Sequence, residues 1–158
     1  MAYWKKTQSM VFLDTATTAG PTWARLKLSS MLEIAVNAKT EDYDFIDNEN
    51  TVTDISNYQP SLSQENMCEE GDSAFDYLWG MFYDLPVGSD AETDCLVVFP
   101  KAGSTAGTFV AWKLPMTVIL NSFNAVDKKI TYDLKAAGDT VLGTVTVDAG
   151  VPTFVAAV

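Results

Sequence analysis

No histidine occurs among the 158 residues. Nucleophile arrangements that pair Ser or Cys with an imidazole base are therefore absent, as are imidazole metal sites. Gly103-Ser104-Thr105-Ala106-Gly107 has the glycine spacing of a nucleophile elbow, but its centre is Thr and no base accompanies it, so it reads as a flexible loop. Asp42-Tyr43-Asp44 opens like a calcium loop. The sixth position is then Asp47 where the turn needs Gly, and the twelfth is Thr53 where a Glu should close the shell. Two carboxylates can share acid–base work, yet acids are so plentiful here that no pair stands out. An enzyme is the weaker reading, and no catalytic residue, cofactor or metal ligand is assigned. Cys68 and Cys95 come without a CxxC pair, which favours two free thiols in a reducing compartment over a single disulfide.

The carboxylates matter more by where they sit. Fifteen of the 21 fall between Asn37 and Asp94, where Lys39 is the only base, a net of −14; the flanks hold six acids and nine bases, a net of +3. Concentrated like charge weakens a compact domain. Three purposes fit it: a solvated face, a surface that must not adhere to a polyanion, or a partner of opposite sign. A net charge of −11 argues against a general nucleic-acid binder, which would present Lys and Arg to phosphates.

The elements that must position these residues follow from periodicity. A composition 47% apolar and 11% aromatic over 158 residues supports one domain with a proper core. No run approaches the ~18 apolar residues of a membrane span. Met10 to Leu13, after Lys5 and Lys6, is too short for a signal segment and ends at Asp14, so the expectation is a chain made and kept in a cytoplasm. Residues 1–22 stand apart as an N-terminal arm, with Thr17-Thr18-Ala19-Gly20-Pro21 as punctuation, and 23–158 form the domain. Strands are expected over 23–28 and 31–36, then a long loop over 37–50 carrying Tyr43, Phe45 and Ile46 among Glu41, Asp42, Asp44, Asp47 and Glu49. Long loops in compact domains are functional or mobile, and three large apolar residues suggest that this one docks on something.

Further strands are expected over 51–55 and 58–63, with a tight turn at Ser56-Asn57. A helix over about 73–85 follows, capped by Asp72 or Ser73 and stopped by Pro86. Its stripe of Phe75, Leu78, Trp79 and Phe82 has the spacing of core contacts. The run 95–99 has the pattern of a strand buried on both faces. Val110, Trp112, Leu114, Met116, Val118 and Leu120 alternate without a break, the period of a strand with one apolar face. Pro115 inside it favours an edge or a bulge. A loop over 121–127, strands over 128–134 and 141–147, a turn at Gly138-Asp139 and a strand-forming tail complete the pattern. Seven or eight strands and one flanking helix make a mainly β sandwich or barrel.

This order of elements, with Glu41-Asp42-Tyr43-Asp44-Phe45-Ile46-Asp47, then Gly71-Asp72-Ser73-Ala74-Phe75-Asp76-Tyr77-Leu78, then Met116-Thr117-Val118-Ile119-Leu120 and a closing Gly138-Asp139…Gly143-Thr144, resembles the major tail (tail tube) proteins of long-tailed bacteriophages. The resemblance covers roughly 23–147. It implies hexameric rings that stack into a hollow tube, with the loop over 37–50 reaching onto the neighbouring ring. It also implies an acidic lumen holding a tape-measure protein before genome ejection, and contacts with tail terminator and baseplate or distal tail proteins. The subunit would be a virion component assembled in the host cytoplasm, without catalysis, cofactor or membrane. Duplex DNA carries one charge per roughly 1.7 Å of axis, and an acidic lining lets it pass without sequence-specific binding. Asp54, Glu65, Glu69 and Glu70 are the candidate lumen acids. The alternative is a virion module that does not polymerise, such as a tail terminator or a capsid decoration protein.

Overall fold

The computed structural model describes residues 3–16, 22–29 and 32–157. Its strands are β1 (Met10–Asp14), β2 (Trp23–Arg25), β3 (Ile34–Ala35), β4 (Ala38–Tyr43), β5 (Val52–Tyr58), β6 (Ser61–Met67), β7 (Glu92–Ala102), β8 (Phe109–Asn124), β9 (Lys129–Ala136), β10 (Val141–Asp148) and β11 (Val151–Ala156); the helix α1 (Ser73–Asp84) lies between β6 and β7. The fold is mainly β with one helix. Nine strands form one antiparallel sheet in the order β2-β1-β7-β8-β9-β6-β3, with β10 also on β8 and β11 on β10; β4 and β5 pair only with each other.

The sixteen residues of β8 organise the sheet. One edge pairs with β7, from Ala111 opposite Val98 to Thr117 opposite Glu92. The other edge pairs first with β10, through Lys113 opposite Val141, and then with β9, starting at Met116 opposite Ala136. Pro115 stands at that handover. It lies in a central strand and not at an edge, and it is tolerated because a residue without an N–H costs nothing where no ladder acceptor faces it. Its carbonyl still accepts from the Ala137 N–H at 2.9 Å.

Two cores lie on opposite faces of β1, β7 and β8. Val11, Leu13, Cys95, Val97, Leu114, Met116 and Val118 pack with Ile130, Tyr132 and Leu134 of β9 and with Phe75, Leu78 and Met81 of α1. On the other face Phe12, Leu96, Val98 and Ala111 meet Val145, with Trp23 and Phe154 against them. The continuous apolar run of β7 is thus buried on both faces, as its sequence pattern implied.

Several boundaries differ from the sequence expectations. Met10–Asp14, within the stretch set apart as an arm, is a strand between β2 and β7, because Val11, Phe12 and Leu13 supply both cores. The segments expected over 23–28 and 31–36 shorten to β2 and β3; part of the second, and the punctuation at 17–21, lie outside the described residues. Residues 121–124 continue β8 instead of forming a loop. Ser56-Asn57 is not a turn: 52–58 is one strand, and Ser56 is the extra residue where the register with β4 shifts. Asp72 takes the N-cap of α1 with no capping bond from its side chain, and Leu85 ends the helix in the left-handed region before Pro86. Along the helix Ala74 and Met81 are buried beside Phe75 and Leu78, while Trp79 is 40% exposed. Trp79 instead stacks on Phe82 and meets the edge of Phe123, both at 5.6 Å between ring centroids.

Gly143 sits where β11 crosses closest. A Cβ there would overlap the Val155 carbonyl oxygen and come within 2.7 Å of the Phe154 ring. Gly143→Ala should therefore destabilise the fold by about 1–3 kcal/mol, seen as a lower urea midpoint; an unchanged midpoint would refute the close approach. Cys95 is fully buried, and burial, with Asp94 adding to it, pushes its thiol up to about 12. Because the thiolate is the reactive form, an aromatic disulfide reagent at pH 8 should modify partly exposed Cys68 in the native protein. Cys95 should react only on unfolding.

Candidate assembly interface

The segment expected as a loop over 37–50 is built differently: Ala38–Tyr43 is a strand, paired with Val52–Tyr58 from Ala38 opposite Tyr58 to Tyr43 opposite Val52. The result is a hairpin of 21 residues, 38–58, every strand residue of which is exposed. Its root is clamped. The Asn37 side-chain amide donates to the Gln59 carbonyl at 3.0 Å and to Ser61 Oγ at 2.7 Å, and the Gln59 N–H donates to the Val36 carbonyl at 3.1 Å. Buried Pro60 then leads into β6. The hairpin is thus fixed at its base and bare along its length.

The chemistry of its tip is apolar within acid. Tyr43 and Phe45 stack with centroids 5.6 Å apart, and Ile46 is fully exposed. Glu41, Asp42, Asp44, Asp47, Glu49 and Asp54 against Lys39 give 38–58 a net charge of −5. Some acids are used locally. Tyr43 Oη donates to Glu41 Oε2 at 2.7 Å, which holds the phenol above its ordinary pKa, and Thr53 Oγ1 donates to Asp42 Oδ1 at 2.7 Å. Glu41 and Asp54, however, stand directly opposite each other across the strands, a like-charge pair that weakens the ladder. A two-stranded hairpin is marginal in water without a face to pack on, and this one also exposes Val52, Ile55 and Tyr58.

The remaining candidate acids are scattered. Asp54 is exposed on β5, and Glu69 and Glu70 are exposed just before α1. Glu65, on β6, accepts Lys129 Nζ at 2.7 Å, a pair that raises the Lys129 pKa. Among the described residues no group of three or more Cys, Asp or Glu is placed to hold a metal ion, and no helix is long and apolar enough to cross a membrane. What the sequence reading missed is that 38–43 is a strand, so that 38–58, the first part of the acidic stretch, is itself a two-stranded sheet.

In the free subunit, amides of 38–58 should exchange with deuterium far faster than those of 95–98 in β7 and their partners in β8, at the centre of the large sheet. Equal protection of the two regions would show that the hairpin needs no partner.

No family model and no curated protein matches the chain. Solved structures do. A chain in the tail of an empty gene transfer agent particle, determined by helical refinement with C6 symmetry, superposes with a TM-score of 0.63 at 14% identity, over 87% of this chain and 97% of that one. A chain in the virion of a native gene transfer agent particle gives 0.61 at 13%, over 89% and 98%. A chain of the anti-feeding prophage cap, which terminates the tube, gives 0.54 at 15%, over 91% and 93%. At such identities the likeness is one of fold, and nearly the whole length of each partner takes part: this chain has the architecture of proteins found in phage-like tails and tube caps.

Proposed function

We propose that the chain is a structural subunit of a phage-like tail, which assembles with copies of itself into stacked rings, six subunits to a ring, forming a tail tube. The observation that carries this reading is the hairpin 38–58, exposed on every strand residue with Tyr43, Phe45 and Ile46 presented at its end. Apolar side chains of this size gain about 1.5–3 kcal/mol each when buried. None of the three is buried among the described residues, so on this reading the remaining gain falls to an intermolecular contact, here the neighbouring ring. The shared fold with a tail chain refined in C6 symmetry supports the ring.

On this reading the acids that remain outside contacts line the bore, which holds a tape-measure protein before DNA leaves. Asp54, Glu69 and Glu70 are exposed and are the candidates for that role. Glu65, tied to Lys129, contributes least. An acidic lining offers the phosphates of a passing duplex no partner of opposite sign.

A second reading is a tube terminator, a ring that closes the tube without propagating it. The likeness to the anti-feeding prophage cap, and to a chain of the sheath/tube terminator of an extracellular contractile injection system, at a TM-score of 0.53 and 12% identity over 90% of this chain, favours it. Electron microscopy of the concentrated protein separates the two: long tubes mean a tube subunit, and single rings mean a terminator. Replacing Tyr43, Phe45 and Ile46 together by Ser should leave a folded subunit, by circular dichroism, that no longer stacks. Tubes of normal length from that variant would overturn the role of the hairpin.

A further inference from the structure

A cleft of about 280 Å³ opens beside β1 and β2, with Val11, Leu26, Leu28 and Leu32 among its walls and Arg25 and Lys27 also lining it. Gln64 reaches it from β6, where Leu62, Gln64 and Asn66 share the buried face. Asn66 is satisfied there: its amide donates to the Lys27 carbonyl at 2.7 Å, and its oxygen accepts from Tyr132 Oη at 3.1 Å. Gln64 is not. It is 2% exposed, and its Nε2 has no hydrogen-bond partner among the described residues. A donor buried without a partner is a cost to the subunit, and Gln64 carries this one at the lining of the cleft.

Size and chemistry narrow the occupant. The cleft falls below the roughly 300–1,000 Å³ of small-molecule sites and accommodates one or two side chains. Apolar walls, a buried donor and two cations complement a large apolar residue flanked by acids. Asp44-Phe45-Ile46-Asp47, at the hairpin end, is such a segment, with Ile46 fully exposed. Charge agrees: the hairpin carries −5, whereas the described segments 3–16 and 22–29 hold Lys5, Lys6, Arg25 and Lys27 against Asp14 alone, a net of +3. Arg25 Nη2 joins the two segments by donating to the Thr7 carbonyl at 3.3 Å. Glu69, Glu70 and Asp72 line a neighbouring cleft that Arg25 and Lys27 also border. None of them pairs with either cation, since the ion pair formed among the described residues is Glu65 with Lys129.

We propose that this cleft is the receiving site for the hairpin end of a second copy: Phe45 or Ile46 enters between the apolar walls, Asp44 and Asp47 meet Arg25 and Lys27, and Gln64 Nε2 donates to the incoming segment. The inference rests on the self-assembly reading above and supplies its missing half. Hairpin and cleft are different surfaces of one chain, so the contact is heterologous and able to repeat.

Charge exchange tests it. The double variant R25E/K27E, checked for folding by circular dichroism and thermal melting, should assemble only at a concentration about 100-fold or more above that of the unaltered protein, since like charges facing across an interface cost several kcal/mol. Adding D44K/D47K to the same chain should restore tubes in electron micrographs. The single exchange K27E with D47K repeats the test on exposed side chains should the double variant melt early. Tubes from R25E/K27E at the usual concentration, or no rescue by the paired reversal, would overturn the receiving site while leaving hairpin-driven assembly intact. Absence of tubes from the unaltered protein would sink the assembly reading itself.

Discussion

One strand holds both cores in place, and the rest of the molecule hangs from it. β8 gives Trp112, Leu114, Met116, Val118 and Leu120 to the core beneath α1, and Phe109 and Ala111 to the core beneath β10 and β11. It can do both because its partner on one edge changes from β10 to β9 at Pro115. That handover needs a residue that asks for no acceptor, and proline is that residue. Gly138 completes the corner: a Cβ there would lie 2.7 Å from Pro115 Cγ, so the chain leaving β9 can pass close. The hairpin root reaches this frame through β6 and β9. A rigid base is what lets 38–58 stand away from the body.

The electrostatics divide along the same line. The hairpin concentrates six acids, with Glu41 facing Asp54, and the repulsion is weakest when a cationic surface lies across from it. The segment before the hairpin holds four of the chain's ten bases by residue 27. A subunit that is unfavourable to itself at one place and complementary to itself at another gains by meeting copies, and loses that gain as salt screens the pair. In the proposed contact the free energy of association combines burial of a few apolar anchors with this complementarity, which favours matched surfaces over mismatched ones.

How much of this the sequence disclosed depends on whether each strand has a buried face. β7 and β8 were legible because a run buried on both faces and a strict alternation are distinct patterns, and α1 because its apolar stripe ends at Pro86. β5 was legible in its first part, over 51–55, but β4 was not: Ala38-Lys39-Thr40-Glu41-Asp42-Tyr43 buries neither face, so hydrophobic periodicity carries no trace of it, and its pairing with 52–58 is a long-range fact. Trp79 shared the helical spacing of Phe75 and Leu78 but covers Phe123 at the helix flank, a difference of one position around the helix. For the cleft a signal did exist. Leu62, Gln64 and Asn66 have the parity of one strand face, and two amides beside a buried Leu mark a core that must satisfy polar groups.

Whether such a subunit propagates or terminates is, physically, a question about the two halves of its contact. A terminator needs one half alone, because the ring it caps supplies the other; a surplus half would recruit another ring. On the proposed reading both halves are here, in a form that costs something to keep: a hairpin end with Ile46 fully exposed and Tyr43 and Phe45 half-exposed, and a buried Gln64 donor with no partner among the described residues. Each is a liability to an isolated subunit, the first through non-specific adhesion and the second through the unpaired donor. In the proposed contact, where the hairpin of one copy meets the cleft of the next, both costs would disappear together. On the reading proposed above, matched surfaces of opposite charge on one chain suit repetition, the property that separates a tube subunit from a cap.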